Sequence, residues 1–480
     1  MMNPPKIVLR APTPALLEQL AQLLGTKGFT TDTNVMQPWL SDWRGKYHGR
    51  AAAMLSPAST GEVAQLVKLA NEACVALVPQ GGNSGMVGGA TPDHSGHQLL
   101  LSLRRMNQIR RIDVAARSVV AEGGVILENL HNAVALHGLR FPLTLGGKGS
   151  ATVGGLVSTN AGGTQVLRHG TMRALLEGVE AVLPDGSIFD GLAALKKDNR
   201  GYDLKHLLCG AEGSLGIVTA ARLTLVPAIV HRITAWAGVD SPDAALTLLR
   251  RLDAGFGREV EGFELIPQSC VEAVVAHIPG TRAPLPAHRG WHVLMEFAAA
   301  DSARTQDLVT LAAAAHDDGL LTDMCLAKSE AEADAWWRIR DSISEAERAS
   351  GPAIQHDISV PVDAMPQFIA ANPERLSAVF PGARAISFGH LGDGNVHHHV
   401  QPPTDVDGKD WIAKHGEAVS ALVYAHVIAL GGSLSAEHGI GQMKRALLER
   451  FSDPARLGVL RGVKAGLDPT GIFNPGKLVP

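Results

Sequence analysis

Two stretches of this chain, SFGHLGDGNVHHHV at 387–400 and SAEHGIG at 435–441, bring together residue types that do chemistry. His390 and His397 flank the turn Gly392-Asp393-Gly394, and Glu437 stands beside His438. Two imidazoles and a carboxylate suit zinc and similar ions, and three protein ligands leave a position open for substrate. One histidine is then left over to move a proton. His398 and His399 extend the run. Alternation along a strand would put His399 on the face of His397, and His398 and His399 are expected to be packed or solvated rather than ligands.

Three glycine clusters precede this constellation: PQGGNSGMVGGA at 79–90, GGKGSATVGGLVSTNAGG at 146–163 and CGAEGSLGIV at 209–218. Glycine lets a backbone approach a phosphate closely and aim successive N–H groups at it. None of the clusters fits G-x-G-x-x-G or G-x-x-x-x-G-K-[ST], which argues against a nicotinamide Rossmann site and a P-loop.

The elements that must position these residues are partly legible. Leu16, Leu17, Leu20, Leu23 and Leu24 recur at helical spacing over 13–25. Ser59-Thr60-Gly61-Glu62 is a capping box, followed by the apolar stripe Val63, Leu66, Val67, Ala70. Val75–Val78 reads as a buried strand that Pro79 terminates, so the first glycine loop begins at a strand's carboxyl end, where ligands are often held. Residues 178–189 read as a hairpin turning at Asp185-Gly186. A strand over 216–227 ends at Pro227, where the first domain boundary falls. Beyond it, alternating stretches such as 291–297 interleave with helical stretches around 242–254, 303–318 and 329–349. That pattern predicts an α+β domain with helices on one face of an antiparallel sheet. A last helix is led by Ser452-Asp453-Pro454, and DPTGIFNPGKLVP is too turn-rich to be helical.

At 480 residues the chain exceeds one ordinary core, so two or three domains are expected. Hydrophobic content of 45% and charged content of 19% are globular values, and a net charge of −4 makes no electrostatic case for nucleic acid. The 52 glycines exceed the usual share of about 7%. Cys74, Cys209, Cys270 and Cys325 form no C-x-x-C pair, which argues against an iron–sulfur cluster, a thiolate zinc knuckle or a disulfide framework and suits free thiols in a reducing cytosol. The N-terminus lacks a secretory h-region and no apolar run is long enough for a transmembrane segment. A cytoplasmic protein is expected, with peripheral attachment to a membrane left open.

The glycine loops, in this order and spacing, resemble the FAD-binding domain of vanillyl-alcohol oxidase-type flavoproteins. The closer resemblance is to the FAD-linked D-2-hydroxyacid dehydrogenases, the branch of D-lactate dehydrogenases, the glycolate oxidase D subunit and D-2-hydroxyglutarate dehydrogenase. It rests on PQGGNSGMVGGA, GSATVGGLVSTNAGGTQVLRHGTMRALLEGVEAVLPDG, CGAEGSLGIVTAARLTLVP, HLGDGNVHHHV, SAEHGIG and GIFNPGK, and spans roughly residues 45–480. It implies an α+β fold: a two-subdomain FAD-binding domain, a cap or substrate domain with an antiparallel sheet, and a C-terminal segment returning to the flavin. The expected divisions are a lead segment 1–44, the FAD domain 45–228, the substrate domain 229–440 and the C-terminal segment 441–480.

The resemblance also implies roles. Pro79, Gly81, Gly82, Asn83, Ser84, Gly85 and Met86, then Gly149, Ser150, Thr152, Gly155, Ser158, Asn160 and Gly162, then Glu212, Gly213, Gly216, Ile217 and Asn474 match cofactor-binding positions. His390, His397 and Glu437 match ligands of a divalent metal, zinc in the relatives, although manganese or iron suit the same donors. His438 matches the base near the substrate hydroxyl, and Arg340, Ser344, Asn395 and Gln355 match substrate-binding positions. Relatives often carry lysine where this chain has Gln355, which supplies an amide and no charge. Arg338 or His356 is then the expected substitute cation, or the substrate is a monocarboxylate.

The expected activity is oxidation of a D-2-hydroxy acid, D-2-hydroxyglutarate first and D-lactate or glycolate as the alternative. Electrons would pass to a quinone, an electron-transfer flavoprotein or a cytochrome rather than NAD. The chain could also work as a homodimer or as the FAD-bearing subunit of a larger oxidase. A zinc hydrolase with purely structural glycine loops is the competing class.

Overall fold

The computed structural model describes residues 8–193, 195–285 and 290–480; residues 1–7 of the N-terminal stretch examined for a secretory signal lie outside them. The chain divides into two compact units. One comprises Met1–Gly163, Gly170–Ala228 and Glu437–Pro480, the other Thr164–His169 and Ile229–Ala436.

Among the described residues the first unit holds two larger sheets, each with its own core, and a two-stranded pairing of Leu139–Arg140 with Val226–Pro227. The four-stranded sheet runs in the order Phe29–Thr30, Ala51–Leu55, Gln98–Ser102, Leu77–Gln80, with the last three strands parallel. The helix Thr60–Glu72 starts where Ser59 Oγ accepts the Glu62 N–H, and it buries Val63, Leu66, Val67 and Ala70. The leading helix Pro14–Gly28 buries Leu16, Leu20 and Leu24 in the same core. The expected stop at Pro79 is corrected, because Pro79 lies inside the strand Leu77–Gln80. That strand is at the sheet edge. Leu77 N–H and C=O already face outward, to Ile472 and Asn474, so Pro79 turns its missing N–H to the same outer side, where the sheet asks for no donor.

The five-stranded sheet is antiparallel throughout: Ile109–Asp113, Ser118–Glu122, Ile217–Thr224, Leu176–Val182, Ile188–Gly191. Its hairpin turns at Asp185-Gly186, where Gly186 has φ +80° and Asp185 Oδ1 accepts the Ser187 N–H at 2.8 Å. The C-terminal residues Ile472 and Phe473 are fully buried in the core of the four-stranded sheet.

The second unit is built on a seven-stranded antiparallel sheet in the order Asp323–Leu326, His231–Val239, Trp291–Ala299, Val260–Pro267, Arg384–His390, Asn395–Gln401, Ile354–Ser359. Helices cover both of its faces, not one as expected. Trp236, Ile266, Leu294 and Phe388 pack against Gln268–His277, Glu330–Asp341 and Ile343–Ala349. The alternate residues His356 and His398 point the other way, to Phe368 of Met365–Val379 and Tyr424 of Gly408–Ala429. The cause is visible in the strands: Val260–Ile266 and His292–Ala299 are buried at every position, so both faces need a cover. The short helix Val166–His169 belongs to this unit, with Arg168 Nη1 on Glu261 at 2.9 Å.

Candidate active site

In the first unit the glycine loops pack against one another. A Cβ on Gly82 would lie 1.6 Å from the Ser150 carbonyl oxygen, one on Gly81 2.3 Å from Thr152 Oγ1, and one on Gly213 2.3 Å from Pro79 Cγ. Only glycine permits these approaches. Asn83 takes φ +53°, and its Nδ2 donates to the Ser41 carbonyl at 2.8 Å. Gly82, Asn83 and Ser150 line a cavity of about 340 Å³ together with Trp39, Ser41 and Asp42. Ser84, Gly85 and Met86 continue the first loop, with Met86 Sδ accepting from Arg44 at 3.4 Å and nothing within 4 Å of where a Gly85 Cβ would sit. Gly149 and Gly155 border the same junction, and Thr152 Oγ1 is buried there with no hydrogen-bond partner among the described residues. Close-set backbone beside an unsatisfied hydroxyl suits a bound phosphate-bearing cofactor.

Other expected cofactor residues hold the loops in place. Asn160 has φ +49° and accepts from Thr171 Oγ1 and the Arg173 N–H, both at 2.9 Å, while Gly162 follows two residues on. Ser158 accepts the Glu212 N–H at 2.7 Å. Ile217 is core, and a Cβ on Gly216 would meet Leu208 Cδ2 at 2.7 Å. Asn474 Nδ2 donates to the carbonyls of Gly89 and Glu212 at 2.9 and 2.7 Å.

Glu212 has a use that the sequence did not reveal. Its carboxylate accepts the N–H groups of Ile440 and Gly441 at 2.7 and 2.8 Å, bracing the backbone just after His438. Burial pushes this carboxyl upward against those two hydrogen bonds. Gly439, between His438 and Ile440, has φ +80°, and a Cβ there would lie 2.7 Å from Glu212 Oε1.

In the second unit, one face of the sheet gathers the polar residues. His390 pairs in register with Asn395 and Glu264, and His397 with Asp357 and Phe388. Directly opposed residues share a face. The His390 and His397 rings lie 5.8 Å apart. Glu264, fully buried, meets His390 Nδ1 through Oε1 at 2.6 Å and Arg340 Nε through Oε2 at 2.6 Å. Burial opposes its ionisation, but Arg340 and His390 outweigh burial and hold the carboxyl well below its usual range. Arg340 Nη2 donates to His390 Nε2 at 3.1 Å. Asn395 Nδ2 donates to Asp357 Oδ1 at 3.1 Å and to the Ile358 carbonyl at 3.0 Å, while its Oδ1 is buried and accepts nothing from the described residues. Ser344 is exposed, one turn beyond Arg340. Burial pushes Asp393, in the turn between the two strands, upward.

Glu264 and Asp357 were missed from sequence. A glutamate inside the apolar strand GFELIP was the available signal, because a buried charge demands a partner. The expected substitute cations are not on this face. His356 points to the opposite face and bonds Ser420 Oγ at 3.0 Å. Arg338 lies about 200° around the helix from Arg340 and donates to the Pro279 carbonyl at 3.1 Å. His398 is fully buried on the face of His356, with Nδ1 2.8 Å from Ser387 Oγ. His399 is buried against Glu347. Glu437 and His438 open the return of the chain to the first unit, four and five residues beyond Ser433, which pairs with Ser359.

Paired sheets, closely packed glycine loops and a seven-stranded antiparallel sheet are the elements of an FAD-linked oxidoreductase fold. Residues 51–191 match the family described as FAD binding domain, and residues 230–478 match FAD linked oxidases, C-terminal domain. The chain is 34% identical over 460 residues to the mitochondrial D-2-hydroxyglutarate dehydrogenase of Arabidopsis thaliana, covering 96% of this chain and 80% of that one. It is 33% identical to the D-2-hydroxyglutarate dehydrogenase of Xanthomonas citri pv. viticola, with 96% of both chains covered. The solved structure of p-cresol methylhydroxylase shares the fold at a TM-score of 0.74, with 14% identity and 98% of each chain covered. The chain belongs to the FAD-linked oxidase family, in its D-2-hydroxyacid dehydrogenase branch. Among the described residues no helix is long and apolar enough to cross a membrane.

Proposed function

We propose that this enzyme oxidises a D-2-hydroxy acid to the 2-oxo acid, with D-2-hydroxyglutarate as the leading substrate. The observation that carries the reading is the single sheet face on which Arg340, Glu264, His390, Asn395 and His397 meet. Bound FAD supplies the hydride acceptor, and a quinone, an electron-transfer flavoprotein or a cytochrome drains it.

The residues supply orientation and proton movement. Arg340 offers a planar fork to the C1 carboxylate, and Ser344 and Asn395 add hydrogen-bonding groups. His390, His397 and Glu437 hold a divalent ion, zinc, which would lower the pKa of a substrate hydroxyl. The donor set fits: Glu264 at Nδ1 leaves His390 Nε2 as the ligand atom, the arrangement by which carboxylates orient metal-bound imidazoles. That same Nε2 lone pair now accepts from Arg340, and one lone pair serves either the ion or the guanidinium. His438, on a backbone braced by Glu212, takes the hydroxyl proton.

A second reading, a monocarboxylate substrate such as D-lactate or glycolate, is favoured by one observation: Gln355 brings no charge to the face that carries His397. The free thiols Cys74, Cys209, Cys270 and Cys325 support a cytosolic setting.

The test is a flavin absorbance scan of purified protein, followed by anaerobic addition of D-2-hydroxyglutarate, D-lactate and their L-isomers. Bleaching by a D-acid and not by its L-isomer is expected. A colourless protein that cannot be reconstituted with FAD overturns the reading. Chelation is expected to abolish turnover while flavin stays bound, with activity restored by zinc. His390→Ala or Glu437→Ala with full metal content and turnover would overturn the ligand assignment.

A further inference from the structure

We propose that a cavity at the start of the helix Glu330–Asp341 binds a free α-amino acid. The cavity lies in the second unit, has a volume of about 270 Å³, and is lined by Val230, Arg232, Thr234, Lys328, Ser329 and Glu330 among others. That is the volume of roughly nine waters, at about 30 Å³ each, which suits a molecule of a few heavy atoms. The helix carries Arg340 ten residues further on, about 15 Å along its axis, so the cavity is separate from the proposed substrate face.

Strand pairing leaves this place open. The edge strand Asp323–Leu326 pairs with Ala235–Gly238, and the Ala327 N–H on the Thr234 carbonyl, at 2.9 Å, is the last link. The chain then turns away into the helix, while His231–Ile233 run on beside Trp291–Ala299 with no strand on their other side among the described residues. Arg232 and Thr234 alternate with Ile233 and share the face of Trp236, which the helix covers at Trp336.

One set of groups here consists of donors without acceptors. Thr234 is 3% exposed, and its Oγ1 has no hydrogen-bond partner among the described residues. A buried hydroxyl left in that state costs stability until a ligand or water engages it. The Lys328 ammonium, at the exposed rim, is engaged with none of the described residues. Ser329 Oγ takes the Glu332 N–H, and Glu332 Oε2 takes the Lys328 N–H at 2.8 Å. The first-turn N–H groups of Glu330 and Ala331 are then left without an acceptor inside the helix. Hydroxyl, ammonium and helix N–H groups together suit a carboxylate.

The other set is acidic. Arg232 gives Nε and Nη2 to Glu296 at 2.8 and 2.6 Å, and shares Nη1 between Glu330 at 2.9 Å and Asp334 at 3.0 Å. One guanidinium thus serves three carboxylates, and Glu330 Oε1 is engaged with none of the described residues. A bare oxyanion would add to this negative charge, and a bare cation would leave the donors unmet. An α-amino acid answers both, with its carboxylate on Thr234 and Lys328 and its ammonium on Glu330.

Calorimetry on the holoenzyme tests this with L-alanine as the probe, against propionate and ethylamine, which each keep one of its two charged groups. L-Alanine is expected to bind, and each half-ligand to bind about tenfold more weakly or worse. Lys328→Ala and Glu330→Gln, both at exposed positions, and Thr234→Val, which removes an unpaired hydroxyl, are each expected to weaken L-alanine about tenfold, with flavin content as in wild type. Absence of L-alanine binding overturns the proposal. So does equal binding of propionate, which marks a plain anion site, or of ethylamine, which marks a cation site. L-Alanine binding unmoved in all three variants places the amino acid elsewhere, on the substrate face for example, and overturns it as well.

Discussion

Glu264 joins the two residues that the proposed chemistry depends on. It ties the ring of His390 to the guanidinium of Arg340 from inside a strand, with no exposure of its own. Removing its charge while keeping its shape leaves neither partner with a counter-charge and sets an amide N–H donor where one of them had its acceptor. Glu264→Gln is expected to lower metal affinity and kcat/KM by about 10- to 100-fold, the range for such orienting carboxylates, and to cost about 3 kcal/mol of stability. Metal content, turnover and a denaturation curve check this, with flavin content as the control. Unaltered metal content and turnover would show that His390 is oriented by something else. The candidate ligands were legible because histidines around a Gly-Asp-Gly turn are a local pattern. Glu264 was not, because its partners lie more than 70 residues away and meet it only through strand pairing.

At the scale of elements, two features decide how the first unit holds together. The glycine loops owe their packing to missing side chains. Gly82→Ala would drive a Cβ to 1.6 Å from the Ser150 carbonyl, so the two loops must separate. Purified Gly82→Ala is expected to be largely flavin-free by absorbance while remaining folded by circular dichroism. Full flavin content would exclude this junction as part of the cofactor site. The second feature is Glu180, which accepts from Thr60 at the start of the helix Thr60–Glu72, from Thr219 on the adjacent strand Ile217–Thr224 and from Arg110 on the edge strand Ile109–Asp113. Burial works against its charge, but these hydrogen bonds prevail and hold its carboxyl below the ordinary value of 4.5. Its contribution is therefore complete above that pH and fades as pH falls through the lowered folded value. Urea unfolding is expected to show Glu180→Gln less stable than wild type by about 1–3 kcal/mol at neutral pH, with the gap closing in acid. The same elements mark the limits of pattern reading. Capping, the Asp-Gly turn and the leucine stripe were readable from local sequence. The interior position of Pro79 was not, since a proline is tolerated or excluded according to which side of the strand has a neighbour.

Over the whole molecule, the chain's end completes the core that its beginning starts. Ile472 and Phe473 are buried with Leu16, Leu20 and Leu77, and Asn474 links the loops at Gly89 and Glu212. Phe473→Ala is expected to destabilise the enzyme by about 3–5 kcal/mol and to loosen flavin retention. Thermal melting with and without added FAD checks both, and a variant as stable as wild type would contradict this account. The sequence by itself determined the class of protein, because the glycine loops and the histidine motif are short patterns whose spacing survives in one dimension. It also determined those helices and strands whose caps and apolar periods are local. Only the tertiary structure decided that one face of the seven-stranded sheet gathers Glu264, His390, His397 and Asn395, that His356 and Arg338 turn away from it, that Glu264 and Glu347 clamp its histidines, and that Glu212 braces the backbone behind His438. Those outcomes depend on strand register and on buried charges finding partners far along the chain, and neither is set until the sheet is assembled.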